Sequence, residues 1–380
     1  MSHSAWLFCA LLISMVVILF LILKVKLNAA IALVLGSILM GILSGITTLE
    51  TIDGINVGFG NMLKGMGLPI GFGIILGELV SASGGAKIIA DKIVQAFPKN
   101  KAIYAIGLAA FVLAIPVYFD VTFVILIPIG MALMKEINKS IAHVVGAITI
   151  GAAAAHTMVP PTPAPLAAGE IFGFDTGLMI AFGGIVSLIG VFVVIKIYTM
   201  ILDKSEKFWK PEKDIATEAV IVKEETTNIK KPSFAMAMLP IIVPIIMIII
   251  NTVANSVLGE AEPEIFKFIG DKTTALLAGA IVAYLIAVRS MGQKAAEKAA
   301  TDSLSSAGIV FLITGAGGAF SNIITITGVS DAISDIVSGL TTNVFVVIIL
   351  AYLVGLLIKQ VTGSGTVSAI TSMTIMSSVA

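Results

Sequence analysis

Long hydrophobic runs separated by short polar stretches dominate this chain. A membrane-spanning helix needs about 20 mostly apolar residues in succession. Runs near this length cover residues 5–23, 28–46, 101–118, 177–201, 235–254, 272–288 and 343–359. The pattern predicts an all-α, polytopic membrane protein, with about 10–12 membrane segments when shorter apolar stretches are included.

Other apolar segments are interrupted by Gly, Pro, Ser or Thr. Bare backbone in lipid leaves N–H and C=O groups unsatisfied, so such breaks persist only where protein or a water-filled cavity surrounds them. We therefore predict short, broken or re-entrant helices in these segments. They are residues 58–83, 119–134, 141–167, 305–327 and 363–380.

Two breaks, at residues 116–122 and 360–366, occupy matching places in the chain. The first carries Asp120, and the second carries Ser364, which lies 244 positions later. Chance in an apolar, glycine-rich chain is one explanation, but the shared order of segments favours an internal duplication. The same spacing pairs Gly71 with Gly315, Gly73 with Gly317, Gly84 with Gly328, Ile89 with Ile333, Asp91 with Asp335 and Thr122 with Thr366.

The distribution of lysines predicts the topology. Lys24 and Lys26 follow the first apolar run, which indicates a retained helix with an external N-terminus. Residues 203–233 contain seven lysines and resemble a cytoplasmic linker. We predict a first transmembrane repeat at 1–202, this linker, and a second, inverted repeat at 234–380.

Paired breaks in inverted repeats are typical of transporters, in which substrate binds near the middle of the membrane. At the spacing of 244, residues 129–202 have no counterpart, so we expect the sequence to be truncated at its C-terminus.

Composition excludes a soluble protein. Hydrophobic residues make up 58% of the chain and charged residues 12%, and the mean hydropathy is +1.08. The single Cys9 excludes a disulfide within the chain. The sequence contains no metal-ligand cluster and no phosphate-binding loop. We therefore expect no metal, no cofactor, no enzymatic activity and no nucleic-acid partner, with transport driven by an ion gradient.

Asp120 is the first candidate site residue. A charged side chain at the middle of the bilayer costs at least ~2.5–3.5 kcal/mol, so it should face a cavity and perform a function such as carrying a proton. The alternative is that Asp120 only caps the helix that follows the break.

Glu78 and Asn322 also lie 244 positions apart, each in a glycine-rich segment. We predict paired re-entrant hairpins whose tips reach the site, where free N–H groups at helix N-termini favour an anion. The alternative is close helix packing through small residues.

His156 precedes four prolines that forbid a continuous helix. A bend at bilayer depth and an ordinary surface loop are both open, as are roles for His156 as a proton relay or a structural hydrogen bonder. Lys359 directly precedes the second break. It either pairs with the substrate carboxylate or Asp120, or extends to the membrane interface.

These segments resemble the gluconate:proton symporter family of the ion transporter superfamily. The clearest are Pro-Val-Tyr-Phe-Asp-Val-Thr-Phe at 116–123 and His-Thr-Met-Val-Pro-Pro-Thr-Pro-Ala-Pro at 156–165, and the others are 77–86, 313–320 and 363–371. The resemblance implies a symporter of the bacterial inner membrane that carries gluconate or a related small hydroxylated monocarboxylate with protons. It also implies an inverted-repeat fold and a homodimer in the lipid bilayer.

The resemblance further implies a site in which Asp120 and His156 handle the proton. Where Lys359 stands, the family usually has Arg, whose two-pronged grip on a carboxylate Lys cannot reproduce. The residues implied for the substrate are Glu78, Ser83, Thr157, Asn322, Lys359, Ser364 and Thr366.

Three other functions stay open at this point. Oxygen-rich breaks suit sodium as well as protons, so a sodium-coupled carboxylate carrier is the first. The second is an intramembrane enzyme that uses Asp120 and Glu78 as an acid–base pair. The third is a passive channel.

Overall fold

The computed structural model describes residues 3–117, 119–137, 139–204, 231–259 and 263–328, together with isolated positions between 348 and 373. Throughout these residues the regular elements are helices, which confirms the all-α prediction. The α-helices are α1 (His3–Leu23), α2 (Ala29–Ser44), α3 (Thr48–Ala82), α4 (Gly85–Gln95), α5 (Ala102–Ala114), α6 (Phe119–Ile137), α7 (Ile141–Met158), α8 (Pro163–Phe172), α9 (Thr176–Lys204), α10 (Phe234–Leu258), α11 (Glu264–Gly270), α12 (Lys272–Met291) and α13 (Gln293–Ile326).

Seven helical segments of the described chain are long and apolar enough to cross a membrane. They expose large apolar side chains, as α9 does with Phe182, Ile185 and Ile189. Such faces suit lipid, where a polar surface would be costly. The prediction of a multi-pass membrane protein is confirmed. The segments are Ala5–Ile22, Thr48–Ala82, Ile141–Phe172, Thr176–Lys204, Phe234–Leu258, Lys272–Met291 and Gln293–Ile326.

Two predicted interruptions are wrong. Residues 58–83 and 305–327 lie almost entirely within α3 and α13, which are continuous helices of 35 and 34 residues. The tips of the predicted re-entrant hairpins, near Glu78 and Asn322, are therefore ordinary helical turns. A glycine costs a helix about 1 kcal/mol relative to alanine, and close packing of neighbouring helices against the bare backbone offsets that cost.

The predicted interruption of residues 119–134 is also wrong, because α6 is one helix over Phe119–Ile137. The break predicted at 116–122 is confirmed in its first residues, and the break within 141–167 is confirmed. Helix α5 ends at Ala114 and α6 begins at Phe119, so the break at Pro116 is real. Helix α7 ends at Met158, and α8 begins five residues further on with Pro163 at its first position, where a missing N–H costs little. We call residues 115–117 the first break and residues 159–162 the second break. The predicted break at 360–366 lies outside the described residues.

One compact unit of the chain comprises Met1–Leu68, Leu166–Phe174 and Ala307–Ala380. Inside it, α1 packs on α2, and the first half of α3 runs antiparallel to the second half of α13. Gly54 lies beside Ile326, whereas Gly58 lies beside the backbone of Gly318. A side chain at Gly58 would overlap that backbone, so glycine permits the close approach.

The other compact unit comprises Pro69–Pro165 and Asp175–Ser306. Its centre is α5, in which ten of thirteen residues are buried. Helix α5 packs on α7 so closely that the Gly107 carbonyl occupies the space where Gly151 would carry a Cβ. Because α5 ends at the first break and α7 at the second break, this packing fixes the two breaks relative to each other.

Several helix boundaries repeat at the spacing found in the sequence. The residues 244 positions after the ends of α3 are 292 and 326, and α13 covers Gln293–Ile326. Each helix is followed by a left-handed glycine, Gly84 with φ 76° and Gly328 with φ 71°. These matches support the duplication. The division into repeats at 1–202 and 234–380 stays a prediction, and most of the linker lies outside the described residues.

Helix packing at Gly151 can be tested by one methyl group. We expect Gly151→Ala to lower the thermal unfolding midpoint in detergent, because overpacking typically costs about 1–3 kcal/mol. The control is Gly190→Ala on α9, where no described atom lies within 4 Å of an added Cβ. Alanine is the better helix former at both positions, so a midpoint that rises in both variants would contradict the packing at Gly151.

Candidate functional site

Both helix breaks in the second compact unit lie against α3. Gly77 contacts the carbonyl group of Pro116 in the first break, so closely that a side chain at position 77 would overlap it. One turn earlier, Gly73 faces Pro161 in the second break, and an added Cβ would lie 3.7 Å from its carbonyl oxygen. The bare backbone of α3 therefore lets two irregular segments approach the same helix.

A small cavity lies where these three segments meet. It offers about 20 Å³ to the centres of water molecules, which is room for one water. Two residues with polar side chains, His156 and Thr162, are among those that line it. The lining consists of Ile70, Gly73, Ile74, Ile115, Pro116, Val117, His156, Pro161, Thr162 and Pro163.

The size of the cavity limits what it can hold. Sites for small organic ligands usually measure about 300–1,000 Å³, whereas this cavity has room for one water. A larger solute would enter only if the segments around it moved apart. The described conformation therefore has no room for a small organic solute at this point.

His156 and Thr157 lie in the last turn of α7. The half-buried His156 lines the cavity, and the negative end of the helix dipole favours a positive charge there. The Thr157 hydroxyl donates to the Ala153 carbonyl at 2.7 Å, and Thr157 does not line the cavity. The structure thus brings His156, but not Thr157, to the cavity.

Glu78 and Ser83 lie on or just after the second half of α3. Glu78 is half-buried and within electrostatic range of Asp302 on α13. Ser83 is 2% exposed, and its hydroxyl donates to the Val80 carbonyl at 3.2 Å. Glu78 can exchange a proton, whereas Ser83 stabilises the end of the helix.

Asp120 lies in the first turn of α6, directly after the first break. Thr122, two residues further on, is fully buried, and its hydroxyl has no hydrogen-bond partner among the described residues. The sequence analysis did not single out Thr122 or Thr162 as site residues. A hydroxyl next to a proline break was the available signal for Thr162.

The remaining predicted residues are not brought to this cavity. Asn322 belongs to the first compact unit, where its amide donates to the Gly54 carbonyl at 2.7 Å. That bond ties α13 to α3. Lys359 is exposed, and Ser364 and Thr366 lie outside the described residues. Their predicted roles in substrate binding stay predictions.

The part of the chain that the structure describes contains no candidate metal site. No group of three or more His, Cys, Asp or Glu side chains lies close enough together there to hold an ion. The groups at the breaks are instead suited to hydrogen bonding and to proton exchange.

Comparison with known families gives one match that covers nearly the whole chain. The family described as GntP family permease matches residues 6–380.

Individual relatives are similar over nearly the same length. A gluconate permease of Pseudomonas aeruginosa is 30% identical over 375 residues, which cover 98% of this chain and 82% of that protein. An uncharacterized permease of Haemophilus influenzae is 29% identical, covering 97% and 77%. The Gnt-II system L-idonate transporter of Escherichia coli is 27% identical, covering 93% and 80%.

The contact between Gly77 and the first break can be tested by cysteine labelling. Val117 is 2% exposed, so Val117→Cys in a Cys9→Ser background should react slowly with a membrane-permeant maleimide. We expect Gly77→Ala to displace the break and speed labelling at position 117. Gly67→Ala is the control, since an added Cβ there comes no closer than 3.8 Å to Leu63. Equal labelling rates in both variants would contradict the contact.

Proposed function

Because the chain belongs to the GntP permease family, we propose that it is a secondary transporter that carries gluconate or a related sugar acid with protons. The family match supports transport across a membrane rather than an enzymatic reaction. The seven apolar segments support a multi-pass protein. We place it in the bacterial inner membrane, as a homodimer that needs no cofactor because a proton gradient drives it.

Relatives support the substrate class. One is named a gluconate permease and another an L-idonate transporter. Both names refer to open-chain sugar acids that carry one carboxylate and a row of hydroxyls. The substrate proposed for this chain is therefore a small hydroxylated monocarboxylate.

The observation that carries the proposal is the small cavity at two helix breaks. Irregular backbone at bilayer depth is tolerated where protein or water encloses it, and transporters use such broken helices at their binding sites. Here both breaks contact α3, and a histidine lines the space between them. Opening and closing around these breaks would give the substrate access to either side of the membrane.

Titratable groups near the breaks favour protons as the coupling ion. Asp120 follows the first break, His156 precedes the second, and Glu78 interacts with Asp302 close to Gly77. In the proposal, Asp120 and His156 exchange the proton. The substrate carboxylate and hydroxyls bind to Glu78, Ser83, Thr157, Asn322, Lys359, Ser364 and Thr366, as the family resemblance implies.

Uptake by reconstituted protein tests this function. We expect the full chain in proteoliposomes to accumulate labelled gluconate against its gradient when the lumen is alkaline, because inward proton flow drives symport. Asp120→Asn should abolish the pH-driven component. Asp53→Asn is the matched control, since Asp53 is an exposed carboxylate at the start of α3, and it should transport like the unsubstituted protein.

The other outcomes of this assay separate the alternatives. Accumulation that ignores pH and requires sodium would replace proton symport by a sodium-coupled carrier. Equilibration without accumulation would indicate a channel. Failure of the unsubstituted protein to move gluconate would contradict the proposed substrate.

Competition tests the substrate class separately. We expect excess unlabelled L-idonate to inhibit gluconate uptake, whereas glucose should not inhibit at the same concentration because it lacks the carboxylate. Inhibition by glucose equal to that by L-idonate would show that the carboxylate is not recognised.

A further inference from the structure

We propose that the cavity between the two helix breaks holds one functional water molecule, and that Gly73 is the residue that keeps room for it. The inference deepens the proposed proton-coupled function, on which its transport arm depends. It assigns a site and a role to positions that the sequence analysis passed over, Gly73 and Thr162.

The cavity meets the requirements of a bound water. A water needs at least about 10–15 Å³ of space open to its centre and two to four polar partners, and this cavity offers about 20 Å³. The residues that line it include Pro116, His156, Pro161 and Thr162, whose ring, hydroxyl and carbonyl groups are the partners that the proposal gives to the water. Thr162 donates its own proton to the Val159 carbonyl at 2.8 Å, which leaves its oxygen able to accept a hydrogen bond from the water.

Gly73 controls whether that space exists. An added Cβ at position 73 would lie 3.7 Å from the Pro161 carbonyl oxygen and 3.9 Å from its ring carbons. These are ordinary contact distances, so alanine fits there without displacing the backbone. A methyl group of that size nevertheless occupies most of a cavity that has room for one water. Gly73 thus differs from Gly77, where the backbone of the first break leaves no space for a side chain.

A water in this place would link His156 to the first break. It can accept a proton on one side while it releases one on the other, so that its own composition is unchanged. In the proposed function, His156 would give its proton to this water, and the water would release a proton toward Asp120, the carboxyl group that follows the first break. Gly73 is in this sense a positioning residue, because the absence of a side chain there leaves the space for the water.

Radiolytic hydroxyl-radical footprinting of the full-length protein tests the water directly. Radicals formed from a bound water label the side chains beside it, so we expect His156 to be labelled in the unsubstituted protein. Gly73→Ala should remove this labelling. The matched control is Gly60→Ala on the same helix, where position 60 is exposed and no described atom lies within 4 Å of an added Cβ. Unlabelled His156 in the unsubstituted protein, or equal labelling in Gly73→Ala, overturns the proposal whether or not gluconate is transported.

Transport kinetics provide the second readout. If gluconate is carried with protons, Gly73→Ala should lower the maximal pH-driven rate at least about tenfold, since proton transfer by a positioned group typically contributes more than this. Its KM should not change. Gly73→Ser should transport better than Gly73→Ala, although serine is larger, because its hydroxyl can replace the water.

The order of the two variants separates chemistry from packing. If Gly73→Ser transports no faster than Gly73→Ala, only the volume of the side chain matters, and the role of the water is overturned. Should Gly73→Ala fail to fold, Thr162→Val and Thr162→Ser decide: loss of the pH-driven rate in valine but not in serine supports the water site. Equal rates in that pair overturn it.

Discussion

The structure around the candidate site depends on one constraint, the need to enclose the polar backbone of two helix breaks inside an apolar protein. Each unpaired peptide group in such surroundings costs several kcal/mol of free energy, as an unsatisfied group does in lipid. Hydrogen bonds within the breaks keep the number of unpaired peptide groups small. Val117 N–H still donates to Leu113 and Val159 N–H to Ala155, both at 2.9 Å. The Thr162 hydroxyl satisfies the Val159 carbonyl.

What remains exposed at the breaks is covered by α3, which can approach only because it lacks side chains at two positions. Gly77 contacts the first break directly, whereas the space between Gly73 and the second break would admit one methyl group. The same helix therefore seals one break and leaves a water-sized space beside the other. Helices α5 and α7, which pack closely at Gly107 and Gly151, hold both breaks against α3.

Hydropathy and proline were sufficient to predict the helical class, most spans and both of these breaks, because each signal is local. Glycine was not sufficient. A glycine-rich stretch predicts a break when the helices packed against it are unknown. In α3 and α13, neighbouring helices pack against the bare glycine backbone, and the helix continues. The sequence predicts Asn322 as a ligand, and in the structure its amide nitrogen donates to the Gly54 carbonyl. Thr162 was missed because only the fold brings it to His156.

The spacing of 244 found in the sequence relates two pairs of interacting residues in the structure, and the two pairs differ in chemistry. Glu78 is 244 positions before Asn322, and Gly58 is 244 positions before Asp302. In one compact unit Glu78 interacts with Asp302, and in the other Asn322 packs against Gly58. Each pair thus contains one member from α3 and one from α13, and the spacing of 244 converts one pair into the other, as an internal duplication predicts. The two copies differ in chemistry, however, since the first joins two carboxylates and the second an amide and a glycine. Only the first can bind and release protons, and it lies on the half of α3 that also contacts both breaks. At the position that matches Glu78, the Asn322 amide makes a structural hydrogen bond to the Gly54 carbonyl, so matching positions in the sequence do not carry the same role.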